Sequence, residues 1–205
     1  MFKTTALIFV ILSLFSCCDA DRKVSKQLEQ TIESANSSVS EFKVSLKMID
    51  FDKDQEQKVL KAAELIRKVI ISEKFRMRVL NHKFNGQKAF ADNEGLTNAQ
   101  IYKKILEGAE TIKPGKDHEM DMVLLTYYED AITIGYTYPN TRNVWMNTKY
   151  LNRYNPVQVT GNMMHEWLHK LGFSHPVKNT PERRFSVPYA VGYIMQRLAR
   201  AENQE

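Results

Sequence analysis

From residue 42 onward, hydrophobic and polar positions follow two distinguishable rhythms. Phe42, Val44, Leu46 and Met48 alternate with Lys43, Ser45 and Lys47, the period of two expected of a strand with one buried face. The period then lengthens: Val59, Ala62, Ala63, Ile66, Val69, Ile70 and Phe75 recur at three- and four-residue steps, with Lys58, Lys61, Glu64, Arg67 and Lys68 mostly opposite. That spacing predicts an amphipathic helix from about Gln55 to Val79 or Leu80, with a break near Ser72 and a basic face turned to solvent. A second helix is predicted over 98–110, opening after Thr97 and closing before Pro114-Gly115. Residues 120–128 and 131–138 read as two strands of a hairpin or meander, and 143–147 as a further short strand after Pro139-Asn140. No internal repeat is visible, so a solenoid is not expected. The order strand, helix, helix, strands, helix predicts a single α/β (α+β) unit over residues 41–205.

One spacing invites a different reading. Asp50, Asp52 and Asp54 stand at calcium-loop intervals, but the sixth loop position is Gln55 where glycine is needed and the twelfth is Lys61 where glutamate is needed. An EF-hand is therefore rejected, and Asp54 is expected to cap the helix that follows.

Composition narrows the class further. A chain of 205 residues, 43% apolar and 26% charged, is long enough for one well-buried core and excludes disordered or collagen-like polymers. The net charge of +5 is modest and dispersed, so a solvated surface is expected and nucleic-acid binding is not. The only cysteines are the adjacent Cys17 and Cys18, which excludes a disulfide-stapled scaffold. Residues 1–20 combine Lys3 with an apolar run from Ala6 to Phe15, too short for a membrane-spanning helix, and read as an export signal. Two processing sites compete: Leu14-Phe15-Ser16-Cys17 resembles a bacterial lipobox, which would place a lipid on Cys17, and Cys18-Asp19-Ala20 suits ordinary signal peptidase. Residues 21–40, rich in serine and other polar residues, read as a tether. The expected location is outside the cytoplasm, as a periplasmic or surface lipoprotein or a secreted protein, with no membrane contact beyond that lipid.

The chemistry is concentrated in His165-Glu166-Trp167-Leu168-His169-Lys170-Leu171-Gly172-Phe173-Ser174-His175. On a helix, His165 and His169 lie one turn apart and project from the same face. Glu166, about 100° round the helix, can reach a water held at that point without being a ligand itself. Gly172 can adopt the left-handed conformation that ends a helix sharply and return the chain so that His175 joins the other two. Three neutral imidazoles with one open position form the donor set of a catalytic Zn²⁺. Three of the five histidines lie in this segment; His82 and His118 are assigned ordinary surface or structural roles. Trp167 and Leu168 are expected in the core, and Trp145 either beneath the sheet or in the cleft.

The pattern H-E-x-x-H-x-x-G-x-x-H resembles the metzincin clan of zinc metallopeptidases, in detail over about residues 143–195. The resemblance implies a twisted mixed sheet backed by helices, an active-site helix, a short C-terminal helical subdomain and a substrate-aligning edge strand, with Val144-Trp145-Met146-Asn147 as the last strand. It implies zinc-dependent hydrolysis of protein or peptide substrates by a monomer, with His165, His169 and His175 as ligands and Glu166 as general base. The chain departs from the clan after the third histidine, where a methionine-containing turn belongs. Ser186-Val187 followed by Tyr189 resembles the astacin-type turn, but Pro188 stands near the methionine's place, and Met195 is the alternative. A degenerate turn at 187–189 is expected, with the terminal helix over about 189–201. Tyr189 is then either a metal ligand or oxyanion donor, or plain packing. Two other activities fit the same ligands: hydrolysis of a non-peptide cell-wall amide, or zinc binding without catalysis.

Overall fold

The computed structural model describes residues 41–204; the expected export signal, lipid site at Cys17 and tether fall outside the described residues. Strand β1 (Lys43–Ile49) leads into helices α1 (Lys53–Ile70), α2 (Glu73–Leu80) and α3 (Asn98–Glu107). Then come β2 (Glu119–Tyr127), β3 (Gly135–Thr137), β4 (Asn143–Asn147), a single turn α4 (Thr148–Leu151), α5 (Pro156–Lys170) and α6 (Val187–Glu202). The fold is α+β, with a four-stranded mixed sheet of order β1-β2-β4-β3. β1 runs parallel to β2 with Lys43 opposite Glu119, β2 runs parallel to β4 with Val123 opposite Asn143, and β3 is antiparallel to β4 with Tyr136 opposite Trp145.

The register sorts side chains onto two faces. Met120, Met122, Leu124, Val144 and Met146 point from the sheet into the core, which they share with Val59, Ile66, Val69, Ile70, Met163, Trp167, Leu168, Val191 and Met195. The alternate positions face the other way, and there Trp145 stacks on Tyr136 with ring centroids 5.1 Å apart. Trp145 therefore lies on the far side of the sheet, and its neighbour Tyr136 reaches the cleft. Trp167 is fully buried as expected, edge-on to Phe42 at 5.8 Å.

Four expectations are corrected. The cap of α1 is Asp52 and not Asp54: Asp52 Oδ1 accepts the Gln55 N–H at 2.9 Å while Gln55 Oε1 accepts the Asp52 N–H at 3.1 Å, a reciprocal box that Asp54 has no partner to form. The helix starting at Asn98 stops at Glu107 because Gly108 adopts a left-handed conformation (φ 67°), so Glu110 falls outside it. The strands at 120–128 and 131–138 do not pair with each other, since β4 lies between them. Asn147 is the reason: fully buried, it donates to the carbonyls of Glu129 and Thr133 and accepts the N–H of Glu129, folding that segment across the strand ends and leaving three residues for β3. Finally, 187–189 is the first turn of α6 and not a separate turn, with Pro188 in the first helical turn, where a missing N–H costs nothing. The break near Ser72 is present, Ser72 Oγ capping α2 through Phe75 N–H.

Candidate metal centre and cleft

Helix α5 carries the first two histidines. It opens on a reciprocal Asn155–Gln158 box with Pro156 in the first turn, and its core face places Met163, Met164, Trp167 and Leu168 inward. His165 and His169 emerge on the open side, ring centroids 5.1 Å apart. The helix ends in a Schellman turn: Phe173 N–H donates to the Leu168 carbonyl at 3.1 Å, Gly172 N–H to the His169 carbonyl at 3.0 Å, and Gly172 has φ 89°. A Cβ at Gly172 would meet nothing closer than 3.6 Å, so backbone conformation and not space demands the glycine. The reversal buries Phe173 and returns His175 to within 5.1 Å of His165 and 4.9 Å of His169. One ligand atom from each of the three rings lies within 4.8 Å of the others.

The tautomers and charges suit a metal. His169 Nδ1 faces the Phe173 carbonyl at 2.8 Å, His175 Nδ1 faces the Pro176 carbonyl at 3.1 Å, and His165 is hydrogen-bonded to the Pro188 backbone, which has only a carbonyl to offer. Rings that donate one N–H to a carbonyl keep the other nitrogen's lone pair free. Burial holds all three below the ordinary histidine pKa, His169 at about 4 and His165 well below it, so they are neutral donors at pH 7. Three neutral nitrogen donors could hold one Zn²⁺. His82, stacked on Phe90 at 4.1 Å, and His118, bonded to the Leu106 carbonyl, are not part of this cluster.

Around the histidines opens a cleft of about 770 Å³. Its sides are β3 with the segment before it, the outward half of α5, and the start of α6. Glu166 is 4% exposed and is the one carboxylate among the described residues lining the cleft. Burial raises its pKa to about 8, while Lys170 and a 3.4 Å hydrogen bond from Asn162 Nδ2 pull the other way. Tyr189, on the first turn of α6, places its ring 4.5 Å from His165 and 4.8 Å from His175, and burial raises its pKa. That approach depends on two glycines. A Cβ at Gly192 would come within 2.9 Å of the Gly161 carbonyl, so α5 and α6 pack closer than side chains there would allow.

Three contributors were not apparent from sequence. Lys170, 1% exposed, donates to Thr137 Oγ1 and to the carbonyls of Tyr138, Thr141 and Asn143, tying α5 to the β3–β4 connection. Asn162 reaches Glu166, and its place one turn before that glutamate was a usable signal. Arg183 lies in a polar loop with no local pattern to mark it, yet it enters the cleft. Met195, the alternative turn methionine, is fully buried on α6 and does not line the cleft.

No protein-family model matches this sequence, and no curated protein is significantly similar to it.

Proposed function

We propose that this protein is a zinc-dependent endopeptidase of metzincin type, with His165, His169 and His175 as ligands and Glu166 as the catalytic general base. The reading is carried by one observation: three neutral imidazoles converge in an open cleft beside its sole lining carboxylate among the described residues. A bound zinc ion would supply Lewis-acid polarisation of the scissile carbonyl and a lowered pKa for water. The chain's own groups do the rest. Glu166 takes a proton from the attacking water as its oxygen bonds to the carbonyl carbon, then gives that proton to the departing nitrogen as the C–N bond breaks. Asn162 holds the carboxylate in place. The Tyr189 phenol, kept protonated by burial, donates to the oxygen that becomes negative. Among the described residues the outer edge of β3 is unpaired and β3 lines the cleft, so an extended peptide can add to it as a further strand.

The export signal proposed for residues 1–20 would deliver the enzyme outside the cytoplasm, where a domain lacking cysteine has no thiol to oxidise. Among the described residues no helix is long and apolar enough to cross a membrane. The test is metal analysis of the exported protein together with cleavage of casein and a peptide library, with and without chelator. One zinc per chain and chelator-sensitive cleavage are expected, and Glu166→Ala is expected to keep the zinc while losing hydrolysis by at least about 1000-fold. A variant as active as wild type removes Glu166 from the reaction. Turnover of peptidoglycan but not of casein moves the substrate to cell-wall amides, and bound zinc without any turnover makes the protein a zinc-binding scaffold.

A further inference from the structure

Arg183 is a charged group that the proposed hydrolysis leaves without a task. Its backbone is pinned in a short 3-10 turn, Arg183–Phe185: its N–H donates to the Thr180 carbonyl at 3.2 Å, and its carbonyl accepts from Ser186 N–H at 3.1 Å and Ser186 Oγ at 2.7 Å. The guanidinium lies over the Tyr189 ring, 4.8 Å from its centroid. The same ring lies 4.5 Å from His165 and 4.8 Å from His175, which places the guanidinium beside the histidine cluster.

No ion pair joins Arg183 to a carboxylate of the described residues, whereas Arg142 is paired with Asp121 and Lys149 with Asp130. Its Nε is buried with no hydrogen-bond partner. No other arginine or lysine among the described residues lines the cleft. A guanidinium set against an aromatic ring at the wall of a cleft keeps its planar fork free, and that fork matches a carboxylate in two parallel hydrogen bonds. An unpaired cation there also disfavours basic and purely apolar groups.

We propose that Arg183 selects substrates carrying a carboxylate close to the scissile amide, in the form of an Asp or Glu side chain or a free C-terminal carboxylate. This assignment rests on the hydrolase reading of the same cleft and adds the substrate class to it. Arg183 acts as a specificity residue, and it takes no part in proton transfer.

The test uses the exported full chain and matched fluorogenic peptides differing only by Glu or Gln at each position flanking the cleaved bond, plus C-terminal acid and amide forms. In the wild type, kcat/KM for the acidic peptide is expected to exceed that of its amide twin by roughly ten- to hundredfold at one position. The ratio is expected to fall to about one in Arg183→Gln and to shift toward Lys-containing peptides in Arg183→Glu. Increasing salt should erode the wild-type ratio, a readout that needs no variant to fold. A preference confined to the C-terminal acid assigns Arg183 to carboxypeptidase-like recognition. A wild-type ratio near one, or a preference that survives Arg183→Gln, overturns the proposal. A parallel arm measures fluorescence anisotropy of the same labelled peptides bound to Glu166→Gln, alone and combined with Arg183→Gln. Arg183-dependent tighter binding of acidic peptides without wild-type cleavage would sink the hydrolase reading and keep Arg183 as the carboxylate-recognising group of the cleft; equal binding of both twins, with no cleavage preference, removes that role.

Discussion

Single side chains set the chemistry of the cleft. In the proposed hydrolysis Tyr189 offers its phenol to the developing negative charge, and its ring packs on two of the histidines. Tyr189→Phe keeps that packing and removes only the hydroxyl, so kcat should fall by about 100-fold with zinc content and KM little changed. Steady-state kinetics on one peptide substrate check this, and an unchanged kcat takes the phenol out of the reaction. Glu110, 2% exposed, supports α5 from behind: its Oε1 accepts from Trp167 Nε1 at 2.8 Å and from Asp121 N–H at 3.1 Å, while its Oε2 is buried without a partner. Burial raises its pKa above 4.5, outweighing those hydrogen bonds. The acid form is thus favoured in the folded state. Its stabilising effect is complete below pH 4.5 and is lost as pH rises through the folded-state value. Relative to wild type, Glu110→Gln should therefore gain stability between pH 4 and pH 7, measured by denaturant unfolding at both values.

At the scale of elements, helix ends and crossings decide where those side chains go. The Schellman turn after α5 converts a helix bearing two histidines into a cluster of three, because it both fixes His169 through the Phe173 carbonyl and redirects the chain to His175. Gly172→Ala places a Cβ on a residue at φ 89°, at a cost of about 1–2 kcal/mol. The variant is expected to unfold at lower denaturant and to bind zinc more weakly, while still folding, because the added methyl meets Thr111 Oγ1 at 3.6 Å and Lys104 Nζ at 3.8 Å, ordinary contact distances. Isothermal titration with zinc and urea unfolding separate the two effects. Lys170 does comparable work one residue before the helix cap. Its ammonium donates to the end of β3, the connection after it and the start of β4, tying that edge of the sheet to α5. Burial depresses its pKa to about 8, the Glu166 carboxylate opposing that fall.

In the domain formed by the described residues, the core and the histidine cluster are separable. The core runs from Val59 and Ile66 on α1 through Met163 and Trp167 on α5 to Val191 and Met195 on α6, all at or below 1% exposure, and none of these side chains belongs to the histidine cluster. The metal-free protein should keep its helical circular dichroism in the presence of chelator. Saturating zinc should then raise Tm by on the order of 10 °C, the shift expected of a ligand at about a thousandfold excess over Kd. Loss of all structure on chelation would contradict this. The division between what was legible and what was not follows the range of the interactions. Residues 165–175 span a helix turn and a glycine reversal, so the convergence of His165, His169 and His175 depends on local backbone geometry and could be read from spacing alone; so could the amphipathic helix and its break at Ser72. The insertion of β4 between β2 and β3 depends on Asn147 binding carbonyls 14 and 18 residues away. The approach of Tyr189 depends on two glycines from different helices, and Arg183 enters the cleft by the course of a loop without periodicity. Such contacts join residues with no sequence relation to one another, and only folding of the complete domain selects them.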